Sequence, residues 1–118
     1  GEFHRLFPSI KRNLNNKEKV LKFLKLCKSN ILLKGNTTVI GSSGKIIINK
    51  HTSSELAVIG SGDVLAGMIG GLQAQGMPSF EAACAAVWVH GEAGLRIGAG
   101  LVASDISSKI PQIMKEFI

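Results

Sequence analysis

The sequence has no tyrosine, one tryptophan, three prolines and only two cysteines in its 118 residues. Cys27 and Cys84 lie far apart among apolar neighbours. They cannot build a disulfide framework and read as buried free thiols of a reducing compartment, which makes a cytoplasmic location the expectation. No apolar run is long enough to cross a bilayer. The nearest stretch, Val64 to Leu72, is about half of the roughly 20 residues a spanning helix needs, and glycines interrupt it. The start, Gly1-Glu2-Phe3-His4-Arg5, has neither the charged n-region nor the apolar h-region of a secretory signal. Acidic residues are few, eight against fourteen Lys and Arg, and the net charge of +6 is uneven. Residues 1–50 hold eleven Lys/Arg and two Glu, whereas residues 51–118 hold three Lys/Arg and six Asp/Glu. A basic half raises the question of nucleic acid. The lysines lack interleaved aromatics and match no nucleic-acid-binding motif, so neither nucleic acid nor membrane is an expected partner. Many of them fall on one face of a helix, as a solvated surface does. A phosphorylated ligand would also benefit from a positive field.

What is present is a hydrophobic fraction of 45%, enough for a packed core in a single compact domain. No internal repeat or low-complexity linker divides the chain. Asn15-Asn16 can cap a helix over Lys17–Lys28, in which Val20, Phe23, Leu24 and Cys27 recur at three and four while Lys22, Lys25 and Lys28 face elsewhere. The run Ile31-Leu32-Leu33 reads as a buried strand of a parallel sheet. Thr38-Val39-Ile40 and Ile46-Ile47-Ile48 flank Gly41-Ser42-Ser43-Gly44, which is a hairpin signature. Beyond Gly60-Ser61-Gly62 a helix runs from Asp63 to Ala74, apolar nearly all round and therefore expected to be buried. Its glycines Gly67, Gly70 and Gly71 cost helix propensity, for which close backbone packing is the expected compensation. Met77-Pro78-Ser79 introduces an Ala-rich helix over Phe80–Ile97, and Ser104-Asp105 opens a last helix in which Pro111 marks a kink or register break. Helices alternating with short apolar strands give an α/β layered domain.

The glycine-rich turn carries the chemistry. Glycines let the chain turn tightly, and the first amides of the following helix form an anion site reinforced by the helix dipole. An acid at such a mouth, here Asp63, competes with a bound anion unless its task is to take a proton from a hydroxyl. The amides then hold the negative charge of a transferred phosphoryl group. Taken alone, Gly-x-Gly-Asp before a helix is also the pattern of an ordinary turn with an Asp cap. The turn is not a Walker loop, because no Gly-Lys-Ser/Thr follows, and it lacks the strand and spaced acid of a dinucleotide fingerprint.

The longer string is more specific. Gly60-Ser61-Gly62-Asp63-Val64-Leu65-Ala66-Gly67, then Gly71-Leu72-x-Ala74-Gln75-Gly76 and Glu81-Ala82-Ala83, resembles the C-terminal signature of the ADP/ATP-dependent NAD(P)H-hydrate dehydratases, a ribokinase-like family. Gly1-Glu2-Phe3-x-Arg5-Leu6-Phe7, Leu33-Lys34-Gly35-Asn36-Thr37-Thr38-Val39-Ile40, His90-Gly91-x-Ala93-Gly94 and Leu101-Val102-Ala103-Ser104-Asp105-Ile106 resemble further family segments in the family's order. Leu95 stands where the family has Asp, and Ser53–Ile59 where it has a glycine-rich Asn-Pro-Gly approach.

The resemblance implies a three-layer α/β/α ribokinase-like fold, of which residues 1–118 would be a single partial domain, the C-terminal portion of a longer one. It implies phosphorylation of the hydroxyl of hydrated NAD(P)H by ADP or ATP, followed by loss of phosphate to regenerate NAD(P)H. By the same resemblance Asp63 is catalytic and contacts the hydrated nicotinamide, and Gly60, Ser61 and Gly62 form the anion hole. Lys34, Gly35, Asn36, Thr37, Thr38 and Gly62 bind the nucleotide. Mg²⁺ held by phosphates and water would leave no ligand cluster in the sequence, and a homo-oligomer stays open. Two other classes remain: a related sugar- or hydroxymethylpyrimidine-type kinase, and a non-catalytic nucleotide-binding remnant. Read without the resemblance, Lys34 is a strand-end lysine, Thr38 a β-branched strand residue and Trp88 a core residue. His90 is then a hydrogen-bonded structural histidine, and Gly91 and Gly94 are sites of helix packing.

Overall fold

The computed structural model describes residues 2–117 and divides into two compact units, Gly1–Ile48 and Asn49–Ile118. The first contains a short helix α1 (Glu2–Leu6), helix α2 (Asn16–Leu26) and strands β1 (Ile31–Leu33), β2 (Thr38–Ser42) and β3 (Lys45–Asn49, its last residue across the boundary). The second contains a 3₁₀ turn (Ser54–Leu56) and helices α3 (Ser61–Ala74), α4 (Ser79–Ile97) and α5 (Ala103–Glu116). No helix among the described residues is long and apolar enough to cross a membrane.

In the first unit, α2 starts where its capping chemistry dictates. The Asn15 side chain accepts from the Glu18 amide at 2.8 Å, and the Glu18 carboxylate accepts in return from the Asn15 amide. This reciprocal pair satisfies two otherwise unpaired donors. The apolar stripe of α2 buries Val20 and Phe23. It lies against the sheet at Gly41, where a Cβ would stand 2.5 Å from Val20 Cγ1. The sheet has the order β1-β2-β3. β2 and β3 form the expected hairpin around Ser43-Gly44, with Gly44 at φ +79°. β1 corrects the sequence expectation: it pairs antiparallel with β2, Ile31 opposite Gly41 and Leu33 opposite Val39, and it is half-buried. A three-residue apolar run carries no information on strand direction, and the short connection from Leu33 to Thr38 leaves no room for the crossover a parallel pair needs.

The second unit is helical. Val89, Ala93, Leu101, Ile106 and Ile113 form its buried cluster, with Leu56, Val58, Val64, Met68, Trp88, Ile97 and Met114 packed against it. α4 places its alanines inward, so Ala82, Ala83, Ala86 and Ala93 are buried. α3 departs from expectation. Ser61 and Leu65 are buried, but Ala66, Gly67, Gly70, Gly71 and Ala74 are exposed. Small residues raise hydropathy without carrying much surface, so an apolar composition need not mean a buried face. A Cβ on Gly67, Gly70 or Gly71 would meet nothing within 4 Å, so the expected close backbone packing is not found there. α5 continues through Pro111, which sits on its exposed side. The Asp105 carboxylate accepts from the Val102 amide at 2.8 Å and so closes the start of α5 from within its first turn. The two cysteines are free thiols as expected, but both are half-buried rather than buried.

Candidate active site

The glycine-rich turn folds as its composition requires. Gly60 precedes α3 at φ +88°, a left-handed conformation that side chains resist. A Cβ there would also stand 3.1 Å from the Ala103 side chain at the start of α5. Because Gly60 has no side chain, α3 lacks a side-chain N-cap. The Ser61 amide donates to the Val58 carbonyl at 3.2 Å. Gly62 and Asp63 are the next residues of the first turn, where amides have no acceptor within the helix. Asp63 is exposed at this positive end of the helix dipole. The turn thus presents two amides and a carboxylate side by side, the donor and acceptor set suited to an anion and a hydroxyl proton.

Three consecutive residues of α4 hold the segment leading into this turn. His90, buried as a structural histidine was expected to be, lies 3.0 Å from the Ser61 carbonyl oxygen and 3.1 Å from Ser61 Oγ through Nε2. A carbonyl can only accept, so Nε2 is the donor. Gly91 admits the backbone of His51, since a Cβ there would overlap the His51 carbonyl oxygen. Glu92 takes the His51 ring at 2.7 Å and also accepts from Arg96 at 2.7 Å, while Arg96 makes a forked pair with Glu116. The His51 ring stacks on Trp88 at 4.7 Å between centroids, with Phe117 edge-on to Trp88. Arg96 first, and His51 second, hold the Glu92 carboxyl below the usual carboxylate range. Gly94 admits Leu56, whose side chain a Cβ would crowd at 2.6 Å. Both α4 glycines therefore serve packing. His51 carried no sequence signal, because its partners lie about 40 residues ahead in the chain.

In the first unit, Lys34, Gly35, Asn36, Thr37 and Thr38 form the exposed connection from β1 into β2. Lys34, Gly35 and Asn36 are open to solvent, and Thr37 and Thr38 are half-buried. Asn16 braces this loop: its Nδ2 donates to the Thr37 carbonyl at 3.1 Å and to the Lys34 carbonyl at 3.4 Å. A Cβ on Gly35 would stand 2.5 Å from that nitrogen. Local sequence reasoning assigns Asn16 only a capping role, and its contact with residues 18 and 21 positions away is a tertiary one. The structure thus groups Gly60–Asp63 in the second unit and Lys34–Thr38 in the first. Among the described residues no group of three or more His, Cys, Asp or Glu side chains is placed to hold a metal ion.

Comparison with known proteins agrees with the motifs. The chain is 46% identical over 84 residues to the ADP-dependent (S)-NAD(P)H-hydrate dehydratase of Neisseria meningitidis, which covers 65% of this chain and 28% of that protein. It is 38% identical over 122 residues to a bifunctional NAD(P)H-hydrate repair enzyme of Methanopyrus kandleri, covering 98% of this chain and 24% of that one. The chain therefore spans about a quarter of the length of these relatives. Among solved structures, a ribokinase-like superfamily protein from Enterococcus faecalis superposes with a TM-score of 0.85 at 29% identity, over 98% of this chain and 42% of that one. Bacillus subtilis YxkO superposes with a TM-score of 0.78 at 31% identity, over 86% of this chain and 40% of that one. The α/β fold is ribokinase-like in part. The sequence model of the NAD(P)H-hydrate dehydratases matches residues 1–115, and the chain belongs to that family.

Proposed function

We propose that this chain contributes the phosphate-binding turn and the catalytic acid of an ADP- or ATP-dependent dehydratase of hydrated NAD(P)H. The observation that carries the proposal is the turn itself: a left-handed Gly60, an uncapped helix start and an exposed Asp63 in the first turn of α3. Asp63 as a carboxylate would take the proton of the substrate hydroxyl as that oxygen bonds to the transferred phosphorus. The nucleotide leaves with the electrons of the broken phosphoanhydride bond. The phosphorylated hydrate then loses phosphate and a ring proton, which restores NAD(P)H. The Gly62 and Asp63 amides would hold the charge of the transferred group, and Lys34, Gly35, Asn36, Thr37 and Thr38 would contact the nucleotide. Ser61 belongs to this hole through its place in the turn rather than through its amide, which Val58 already occupies. ADP is the nucleotide that the Neisseria relative's name specifies.

Mg²⁺ has no carboxylate or histidine cage among the described residues. A metal that arrives on the nucleotide's phosphates and keeps its waters needs none. The chain is read as one partial domain of a longer family fold, in which a cytoplasmic location and a homo-oligomer remain part of the proposal.

The test is recovery of NADH absorbance from hydrated NADH with ADP or ATP. Asp63→Asn keeps the size of the side chain and removes the base, and turnover is expected to vanish while nucleotide binding survives. Equal turnover in the asparagine variant would overturn the assignment.

A further inference from the structure

We infer that His90 is the positioning residue of the anion turn, setting the direction of the Gly62 amide by gripping the carbonyl of the same peptide. The inference rests on the reading that this turn binds phosphate.

Helices are usually started by a side chain of Ser, Thr, Asp or Asn, which accepts from an amide two or three residues on. Such a cap would stiffen the first turn of α3 but consume an amide that an anion needs. Gly60 avoids that competition, and α3 has no side-chain cap. The consequence is a first turn in which the Gly62 and Asp63 amides have no acceptor within the helix and no side chain of the turn braces them. His90 supplies what the cap would have supplied, from another helix. Its Nε2–H reaches the Ser61 carbonyl oxygen at 3.0 Å and shares itself with Ser61 Oγ at 3.1 Å. The Ser61 carbonyl and the Gly62 amide belong to one planar trans peptide, so the N–H points opposite to the C=O. Fixing the oxygen from the α4 side therefore aims the Gly62 N–H away from α4 and out of the helix end. The ring does this without spending any N–H of the turn. Both His90 and Ser61 are buried, at 8% and 5% exposure, so water is a poor substitute for the bond.

The anchor is itself held. Gly91 and Glu92, the next two residues of α4, fix His51 by backbone approach and by a 2.7 Å hydrogen bond. The tripeptide His90-Gly91-Glu92 thereby secures both ends of the segment from His51 to Ser61, all within the second unit.

The test uses three substitutions in the intact protein, with ADP and inorganic pyrophosphate as probes. Glutamine places its amide nitrogen near the position of Nε2, asparagine near Nδ1, and leucine has no donor. His90→Gln is expected to bind both probes close to wild type. His90→Asn and His90→Leu are expected to raise Kd roughly tenfold, the factor that loss of one buried hydrogen bond supports. In the hydrate assay kcat should fall along with a rise in the nucleotide KM, because the Gly62 amide holds developing charge, whereas Asp63→Asn abolishes turnover with nucleotide binding intact. The Gly62 amide resonance should shift in the asparagine and leucine variants and return towards wild type in the glutamine one. Should the leucine variant fail to fold, the glutamine–asparagine contrast decides. A folded His90→Asn protein with wild-type affinity and an unmoved Gly62 resonance would overturn the inference, as would His90→Gln behaving like leucine. Absence of ADP and pyrophosphate binding in the wild type would overturn the phosphate reading instead, with the Gly62 resonance still reporting whether His90 orients the peptide.

Discussion

The two units hold their candidate site segments by opposite means. In the first, the Lys34–Thr38 loop is solvent-facing and braced by one polar side chain, Asn16, through two carbonyls. In the second, the Gly60–Asp63 turn rests on a buried histidine, and the strand-end segment before it is pressed into a helix that glycine has cut away. A loop that only contacts a nucleotide can tolerate give. A turn that must aim amides at a phosphoryl group gains from being over-determined, because stabilisation of developing charge depends on donors already in place. The difference predicts that damage to the second unit is felt in folding and aim, and damage to the first mainly in affinity.

The largest effect should come from closing the cut in α4. Gly91→Ala would place a methyl on the His51 carbonyl oxygen, and backbone must move. Overpacking of this kind costs typically about 1–3 kcal/mol, read as a fall in the urea midpoint. Gly70→Ala on α3 is the control within the same unit. Its Cβ meets nothing, and an exposed helical glycine costs roughly 0.5–1 kcal/mol relative to alanine. The midpoint should therefore rise. If both substitutions were neutral, α4 would not be packed against His51 as described.

Asn16→Ala breaks the first unit's brace. It removes both donations to the Lys34 and Thr37 carbonyls while leaving the Asn15–Glu18 cap in place. The expected cost is about 1 kcal/mol for partly exposed hydrogen bonds. Under the proposed function, the nucleotide KM should rise several-fold at unchanged kcat, since about 1.4 kcal/mol corresponds to a factor of ten. A drop in kcat instead would mean that this loop takes part in the reaction rather than only in contact.

How much of this was legible in the sequence follows from the range of the forces involved. The α2 cap, the hairpin around Gly41–Gly44 and the tight glycine turn at Gly60–Gly62 are set by residues within four positions of each other, and all three could be read, though not the left-handed φ of Gly60 itself. The direction of β1 and the open face of α3 depend on which surface meets which, and neither periodicity nor hydropathy encodes that. In the candidate site, the family resemblance pointed to Gly60–Asp63 and Lys34–Thr38, and apolar context marked His90 as structural. It did not name Ser61 as the partner of His90, nor Asn16 and His51 as supports, because those contacts close loops of 18 to 41 residues.

The smallest effect expected is electrostatic, and its sign is fixed. The Glu92 carboxyl is held below its ordinary value, chiefly by its hydrogen bond from Arg96 and then by His51. A depressed carboxylate favours the folded state above its unfolded value, near pH 4.5, and that contribution fades as the pH falls below it. Glu116, lowered by the same guanidinium, adds in the same direction. Pairs that stay partly open to solvent, as these do, contribute little individually and are screened by salt. Glu92→Gln should therefore leave the first unit unaffected, lower Tm modestly at neutral pH, and flatten the decline of Tm with acid below about pH 4.5. The flattening should be weaker in high salt. If the variant instead lost Tm equally at every pH and ionic strength, Glu92 would support His51 by shape and neutral hydrogen bonding alone, and the charge on Arg96 would be incidental to the way α4 secures the turn.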